Sequence, residues 1–346
     1  MSVAPSVRVQ RATPSSWVGL AVGVAVFGWL FYGTRDLDQA FQNDITRVCV
    51  FITLATMWNL LAGYTGLVSI GQQAFVGLGG YGLIVVSNGY EQDIYFSVLP
   101  AGLIALGAAA IIAVVAFRLR GGYFAVGMWV IAEVVRLLVK SYKGDPIRGG
   151  TGTSLDASAY DALDRSQTSS LLALLLAAVA VGTVYVILRS RMGLALQAVR
   201  DSESGASGLG VNVYRTRYVV FLVAGFLTGL AGAVYYLKFG SITPDAAFSV
   251  STWTAPVIVM VVIGGLGTIE GPIIGAVLYF VLEKQLTGND AVVEIGAESF
   301  RIVMGLVAVV FALYVRGGIW GTLSRRFSRL QLFPVRRRAT IQREVP

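Results

Sequence analysis

The chain has 346 residues, of which 55% are hydrophobic and 13% charged, and its mean hydropathy is +0.71; a soluble globular domain carries about 25% charged residues, so water is not the main solvent of this chain. Its net charge of +8 does not point to nucleic acid, because the basic residues sit at the ends of apolar runs and not on a soluble face interleaved with aromatics. There is no histidine, and the one cysteine, Cys49, lies inside an apolar run; an internal disulfide, a cysteine metal cluster and histidine chemistry are thereby excluded, and no cofactor, metal or enzymatic role is expected.

Ten apolar segments follow one another, each bounded by charge, Pro or Gly: 17–32, 45–61, 67–86, 95–117, 123–139, 171–188, 218–237, 250–263, 272–282 and 300–315. A bilayer core about 30 Å thick needs about 20 mostly apolar helical residues, so the expected fold is an all-α polytopic membrane protein of about ten helices, some short or broken. The first segment follows Arg8 and Arg11 but has no small-x-small cleavage site after it, and it is read as a retained span. The eighth and ninth are separated only by the Gly-rich stretch 264–271, a pattern compatible with broken or re-entrant helices.

Cytoplasmic loops are enriched in Lys and Arg. With the N-terminus inside, ten spans place 17 of the 27 basic residues in the cytoplasm, while 14 of the 19 acids fall outside. The expected organisation is a cytoplasmic tail at 1–16, a membrane domain at 17–315 with an inner loop at 189–217 and an outer loop at 140–170, and a basic cytoplasmic tail at 316–346. That tail is expected against anionic headgroups of the bilayer, each basic residue near the surface contributing about 1 kcal/mol.

Several signals have both a structural and a functional reading. Gly77-Leu-Gly79-Gly80-Tyr-Gly82 has dinucleotide-fingerprint spacing but lacks the strand and the aqueous helix start the motif needs. Close helix packing accounts for it, as it does for Gly19/Gly23, Gly225/Gly229 and Gly271/Gly275. No Gly-x4-Gly-Lys-Ser/Thr phosphate loop occurs, so any ATP would be hydrolysed by another subunit. In the third span, Ser69, Gln72 and Gln73 either bond between helices or offer hydrogen bonds to a solute along a translocation path. Glu133 and Arg136, three apart on the fifth span, either neutralise and snorkel or line that path; an isolated charge at the bilayer centre costs about 2.5–3.5 kcal/mol.

The inner loop opens with Arg189-Ser-Arg-Met-Gly-Leu-Ala-Leu-Gln-Ala-Val-Arg-Asp. Leu194, Ala198 and Val199 are placed on one apolar face of a short amphipathic helix, Arg200 and Asp201 follow, and Gly205, Gly208 and Gly210 are expected to break it. Such a helix lies in the headgroups or docks a soluble partner.

From this loop outward the sequence resembles the permease subunits of ABC importers for branched-chain amino acids, of the LivM type. The resemblance runs from about Cys49 to Val315. It rests on Trp58-Asn-Leu-Leu-Ala-Gly-Tyr-Thr-Gly-Leu-Val-Ser-Ile-Gly-Gln-Gln-Ala-Phe, Tyr123-Phe-Ala-Val through Glu133-Val-Val-Arg, Gly149-Gly-Thr-Gly-Thr, Gly193-Leu-Ala-Leu-Gln-Ala-Val-Arg-Asp, Leu209-Gly-Val-Asn, Gly225-Phe-Leu-Thr-Gly-Leu-Ala-Gly-Ala and Gly264-Gly-Leu-Gly-Thr-Ile-Glu-Gly-Pro-Ile-Ile-Gly-Ala. It departs at Glu270, where an apolar or aromatic residue is more familiar, and in the outer loop at 149–154.

The resemblance implies a multi-pass protein of the bacterial inner membrane with both termini cytoplasmic, a second permease subunit as heterodimer partner, two cytoplasmic ATP-binding subunits and a periplasmic solute-binding protein. It implies that Gly193, Leu194, Leu196, Ala198, Val199, Arg200, Asp201, Leu209 and Gly210 belong to the segment that couples to an ATPase. Branched-chain or other small amino acids are the implied solutes, with urea or short-chain amides the alternative within the family. An ion-gradient-driven secondary transporter is the competing class; it needs a buried titrating carboxylate, and Glu133 is the candidate.

Overall fold

The computed structural model describes residues 38–287 and 296–326 apart from 316, the paired segments 6–10 and 338–342, and isolated positions between 23 and 33. The expected first span and most of the basic C-terminal tail lie outside the described residues. Each of the other nine expected segments is helical. They form α1 (Gln39–Thr65), α2 (Gln72–Tyr90), α3 (Val98–Ala116), α4 (Gly122–Ser141), α5 (Ala162–Arg189), α8 (Val213–Phe239), α10 (Ala255–Gly264), α11 (Glu270–Thr287) and α12 (Ala297–Tyr314). Between them lie α6 (Arg191–Asp201), α7 (Glu203–Gly208) and the single turn α9 (Pro244–Ala247), and α13 (Gly318–Arg326) follows.

Among the described residues, six helices are long and apolar enough to cross a membrane: α1, α3, α4, α5, α8, and α12 with its continuation. α2 has the length but carries Gln72, Gln73 and Asn88. α10 is only ten residues, extended at its start by a π-helical turn over Val250–Thr254. A count of ten full spans is therefore not established, and the fold is a polytopic helical membrane protein with short and broken elements.

The interior is built where small residues let backbones touch. α8 lies between α2 and α3. A Cβ at Gly229 would overlap Ala105 of α3, one at Gly232 would overlap the Val76 carbonyl of α2, and one at Gly79 would overlap the Gly229 carbonyl. Gly264 and Gly275 bring α10 and α11 together in the same way. Without a hydrophobic drive between helices in lipid, dispersion across such close approaches is what holds the bundle. The Gly-rich runs near 79 and 225 are thus packing devices, as their spacing suggests.

One expectation changes here. The third apolar segment starts at Leu67, but helix α2 starts only at Gln72, and Ser69 lies in the preceding loop. Gly66 ends α1 in the left-handed region at φ 74°. Trp58 Nε1 then donates to the Ser69 carbonyl at 2.8 Å, and Ser69 Oγ accepts from the Gly71 N–H at 3.2 Å. These bonds use backbone groups that a helix would have consumed.

Contacts sort the loops into two ends. At one end Arg47 pairs with Glu283 at 3.3 Å and Lys284 with Asp44 at 2.7 Å. There too Asn88 bonds Ser154, Tyr160 donates to Asp93, and a short strand β1 (Thr153–Ser154) pairs with β2 (Ser241–Ile242). At the other end Asn59 bonds the 267–268 turn, and Phe117 packs on Tyr214 with centroids 5.7 Å apart. The segments Ser6–Gln10 and Arg338–Gln342 pair antiparallel.

At the acidic end a polar knot joins three helices. Lys238 of α8 is 8% exposed and donates to the Ser166 carbonyl at 3.1 Å, to Ser166 Oγ and to Ser170 Oγ at 3.4 Å. Ser166 Oγ reaches Gln42 at 2.6 Å, and Thr46 meets Ser170 at 3.0 Å. A buried charge stranded by loss of its partners costs more than one removed outright. The double variant Ser166→Ala/Ser170→Ala is therefore expected to lower the melting temperature of the purified protein more than Lys238→Met does, by about 1–3 kcal/mol of lost stability. Equal melting temperatures would show that the knot is not what holds the ammonium.

Candidate functional site: a docking helix and a charged face

The inner loop folds as a helix pair. Ser190 Oγ accepts from the Met192 N–H at 3.1 Å and caps α6. Ser202, with φ −158°, ends α6 and caps α7 by accepting from the Gly205 N–H at 3.1 Å. The break therefore falls at Ser202, while Gly205 and Gly208 are helical and Gly210 turns the chain at φ 82°. Asn212 Oδ1 then caps α8 by accepting from the Arg215 N–H at 2.9 Å.

The inward face of α6 also differs from the expected one. Gly193, Leu196 and Val199 are buried, while Leu194 is 69% exposed. Gly193 decides this rotation: a Cβ there would overlap the Leu188 carbonyl, so α6 seats flush on the end of α5 with its i, i+3, i+6 row inside. Ala198 is half-buried, and Arg200, Asp201, Leu209 and Gly210 are exposed. Leu194 and Leu209, the latter 83% exposed, give the pair an apolar outer surface.

Arg200 also looks inward across the bundle, its guanidinium lying over Gly267 in the α10–α11 turn. Asn59 of α1 clamps that turn with both ends of its amide: Nδ2 donates to the Thr268 carbonyl at 2.7 Å, and Oδ1 accepts from the Gly267 N–H at 2.8 Å. The same turn packs against α13, where Gly318 abuts Gly265.

Of the polar residues suspected of lining a path, Gln72 and Gln73 are buried inside this chain. Gln72 Nε2 donates to the Leu54 carbonyl of α1 at 2.8 Å and to Thr228 of α8 at 3.3 Å. Gln73 accepts from Thr254 in the π-helical turn. Both bond between helices, while Ser69 ties the loop before α2 to Trp58 of α1 through its carbonyl.

Glu133 and Arg136 lie elsewhere, on α4, whose buried positions are Phe124, Met128 and Ala132; Arg136 follows Ala132 by four residues and continues that row toward the helix end, while Glu133 lies further round the helix. Arg136 Nε donates to Glu133 at 2.9 and 3.1 Å, and its Nη1 reaches Asp245 on α9. Lys140 joins Asp245 at 3.0 Å. The Lys140 ammonium, with Arg136 beside it, holds the Asp245 carboxyl below the usual carboxylate range. Asp93, in the loop after α2, is also lowered, by the Phe96 N–H above all and by the Tyr160 hydroxyl.

Asp245 and Lys140 escape a reading of sequence alone. Asp245 is 109 residues from Arg136, and only the return of the chain after α8 brings them together. Because Arg136 pairs with Glu133, that carboxylate is not the free titrating group a secondary transporter needs.

Among curated proteins, the chain is 26% identical over 294 residues to the high-affinity branched-chain amino acid transport system permease protein LivM of Salmonella typhimurium, covering 77% of this chain and 67% of that one. It is 32% identical over 149 residues to the fructose import permease FruG of Bifidobacterium longum, covering 41% and 42%. It is 24% identical over 225 residues to the ribose import permease RbsC of Escherichia coli, covering 63% and 68%. The family model described as the permease component of branched-chain amino acid transport systems matches residues 41–312, from the first turn of α1 almost to the end of α12, and the chain belongs to that family.

Proposed function

We propose that this protein is one of two membrane subunits of an ATP-driven importer and moves branched-chain or other small amino acids, delivered by a periplasmic binding protein, across the bacterial inner membrane. The second permease subunit and two ATP-binding subunits are its partners, and the end that carries α6 and α7 faces the cytoplasm together with both termini. The observation that carries the reading is the capped α6–α7 pair: it is plugged into α5 by Gly193, offers Leu194 and Leu209 outward, and reaches the α10–α11 turn through Arg200. A rigid knob so seated converts movement of a docked partner into displacement of the membrane helices.

The orientation is supported by the basic loops at that end, Arg118, Arg120, Arg189, Arg191, Arg215 and Arg217 among them. The pairing of segments 6–10 and 338–342 fits two termini on one side. The solute class is supported by the LivM relatives and by the mixed charges on α4, which suit a solute bearing both signs.

In nanodiscs holding the complete complex, ATP hydrolysis is expected to rise several-fold when the binding protein is loaded with leucine, isoleucine or valine. It is expected to stay at its basal rate with urea, fructose or ribose. Stimulation by a sugar or an amide and by no neutral amino acid would replace the proposed solute.

A further inference from the structure

Resting on the amino-acid reading above, we propose that Arg136, Lys140, Glu133 and Asp245 form an exchangeable ion-pair site for a zwitterion, Arg136 and Lys140 taking its carboxylate and Asp245 and Glu133 its ammonium.

Position comes first. At about 1.5 Å per residue, Glu133 lies about 16 Å and Lys140 about 27 Å along α4 from Gly122, in the half of the helix nearer the acidic end. Trp129 and Val130, both about half exposed, precede Glu133 by four and three residues, one turn along the helix. Glu133, near the middle of the helix, is too costly to leave against lipid and belongs to a water-filled cavity or a protein interface, whereas Lys140, in the last turn, and Asp245, on α9, lie at the end of the bundle. Glu133 borders the face this chain leaves uncovered, and Arg136, with its side chain 21% exposed, continues the buried row beside it.

Charge balance comes next. Two cations and two carboxylates share the pairs Arg136–Glu133, Arg136–Asp245 and Lys140–Asp245, with side-chain exposures of 21% for Arg136, 42% for Lys140, 43% for Glu133 and 58% for Asp245. An incoming carboxylate replaces Asp245 on the cations, and the ammonium on the same solute takes up the displaced Asp245. Net charge is unchanged, so entry and release proceed without leaving an unpaired ion. A neutral sugar or urea makes neither exchange, and a solute with one charge makes only half of it.

A separate observation points to a ligand. The Tyr81 hydroxyl on α2 is buried, its residue 3% exposed, and among the described residues it has no hydrogen-bond partner. It lies within electrostatic reach of Asp245, and its ring stacks on Phe248 with centroids 6.0 Å apart. Among the described residues no group uses this donor, and its ring neighbour Phe248 follows Asp245 by three residues.

The test compares Arg136→Gln, Asp245→Asn and the double variant in liposomes holding the complete complex, with leucine-loaded binding protein outside and labelled leucine uptake as the readout. Each single variant is expected to lose at least tenfold in uptake, and the double variant is expected to lose as much, because both ligand contacts are gone. Recovery in the double variant, or in the charge-swapped Arg136→Asp/Asp245→Arg, would show a latch between α4 and α9 and overturn the site. Tyr81→Phe is expected to raise the half-saturating concentration of loaded binding protein several-fold at unchanged maximal uptake; no change would remove Tyr81 from the site. Size-exclusion of the complex reports assembly, and if a variant fails to assemble, Lys140→Gln and Glu133→Gln carry the same test, with unaltered uptake in both overturning the proposal. A wild-type complex that moves no amino acid overturns the solute reading and this site with it, whereas normal wild-type uptake with recovery in the double variant overturns the site alone.

Discussion

Gly229→Val and Gly79→Val are each expected to abolish recovery of an assembled complex from the membrane. At Gly229 an added Cβ meets Ala105 of α3, and at Gly79 it meets the Gly229 carbonyl of α8. The obstacle in the second case is backbone inside a helix, which cannot rotate away as a side-chain tip can. Overpacking a core costs typically about 1–3 kcal/mol, and an immobile backbone obstacle puts this site at or above the top of that range. Separating α2, α3 and α8 by even one methyl diameter also forfeits the dispersion contacts along their length, which is what lipid-embedded helices have in place of a hydrophobic drive. Gly107→Val is the matched control on α3, since nothing lies within 4 Å of a Cβ there, and it is expected to leave yield and melting temperature unchanged. Normal yields from both crossing variants would mean that the helices are held apart by something other than glycine contact.

What the sequence discloses and what it hides divide along range of interaction. Apolar runs and their charged borders are local, so nine segments and the division of loops into two ends are legible without coordinates. The bounds fail where a long-range bond intervenes. Ser69 reads as helical until Trp58 claims its carbonyl, and α6 reads with Leu194 inside until the missing side chain of Gly193 turns the helix on the end of α5. Glycines at 205 and 208 look like breakers, yet Ser202 makes the break because its hydroxyl caps the next helix. Glu133 and Arg136 stand out as charges in an apolar span, while their partner Asp245 lies beyond two intervening membrane helices in an unremarked turn. Lys238 closes an apolar run and reads as a border residue; it is buried because Ser166 and Ser170 of α5 wait there with hydroxyls.

Asn59→Leu is expected to leave ATP hydrolysis running in the complete complex while the solute moved per ATP falls at least tenfold. The side chain holds a turn with two glycines in conformations that L residues rarely adopt, Gly265 at φ 139° and Gly267 at φ 75°. Leucine has similar bulk but leaves the Gly267 N–H and the Thr268 carbonyl without their partner, at about 1–3 kcal/mol for each buried group. The turn then loses its fixed place beneath the Arg200 guanidinium and beside Gly318, which are its contacts to α6 and to α13. Arg200→Ala removes only the first of these contacts and is expected to act in the same direction by a smaller factor. Because Arg200 is exposed on α6 and α6 keeps its buried row of Gly193, Leu196 and Val199, a general loss of folding cannot produce that second result. The discriminating quantity is the ratio of labelled solute taken up to phosphate released. A ratio unchanged in both variants, with only the melting temperature lowered in Asn59→Leu, would show that the turn is structural and that motion of the docking helix reaches the membrane helices through α5 instead.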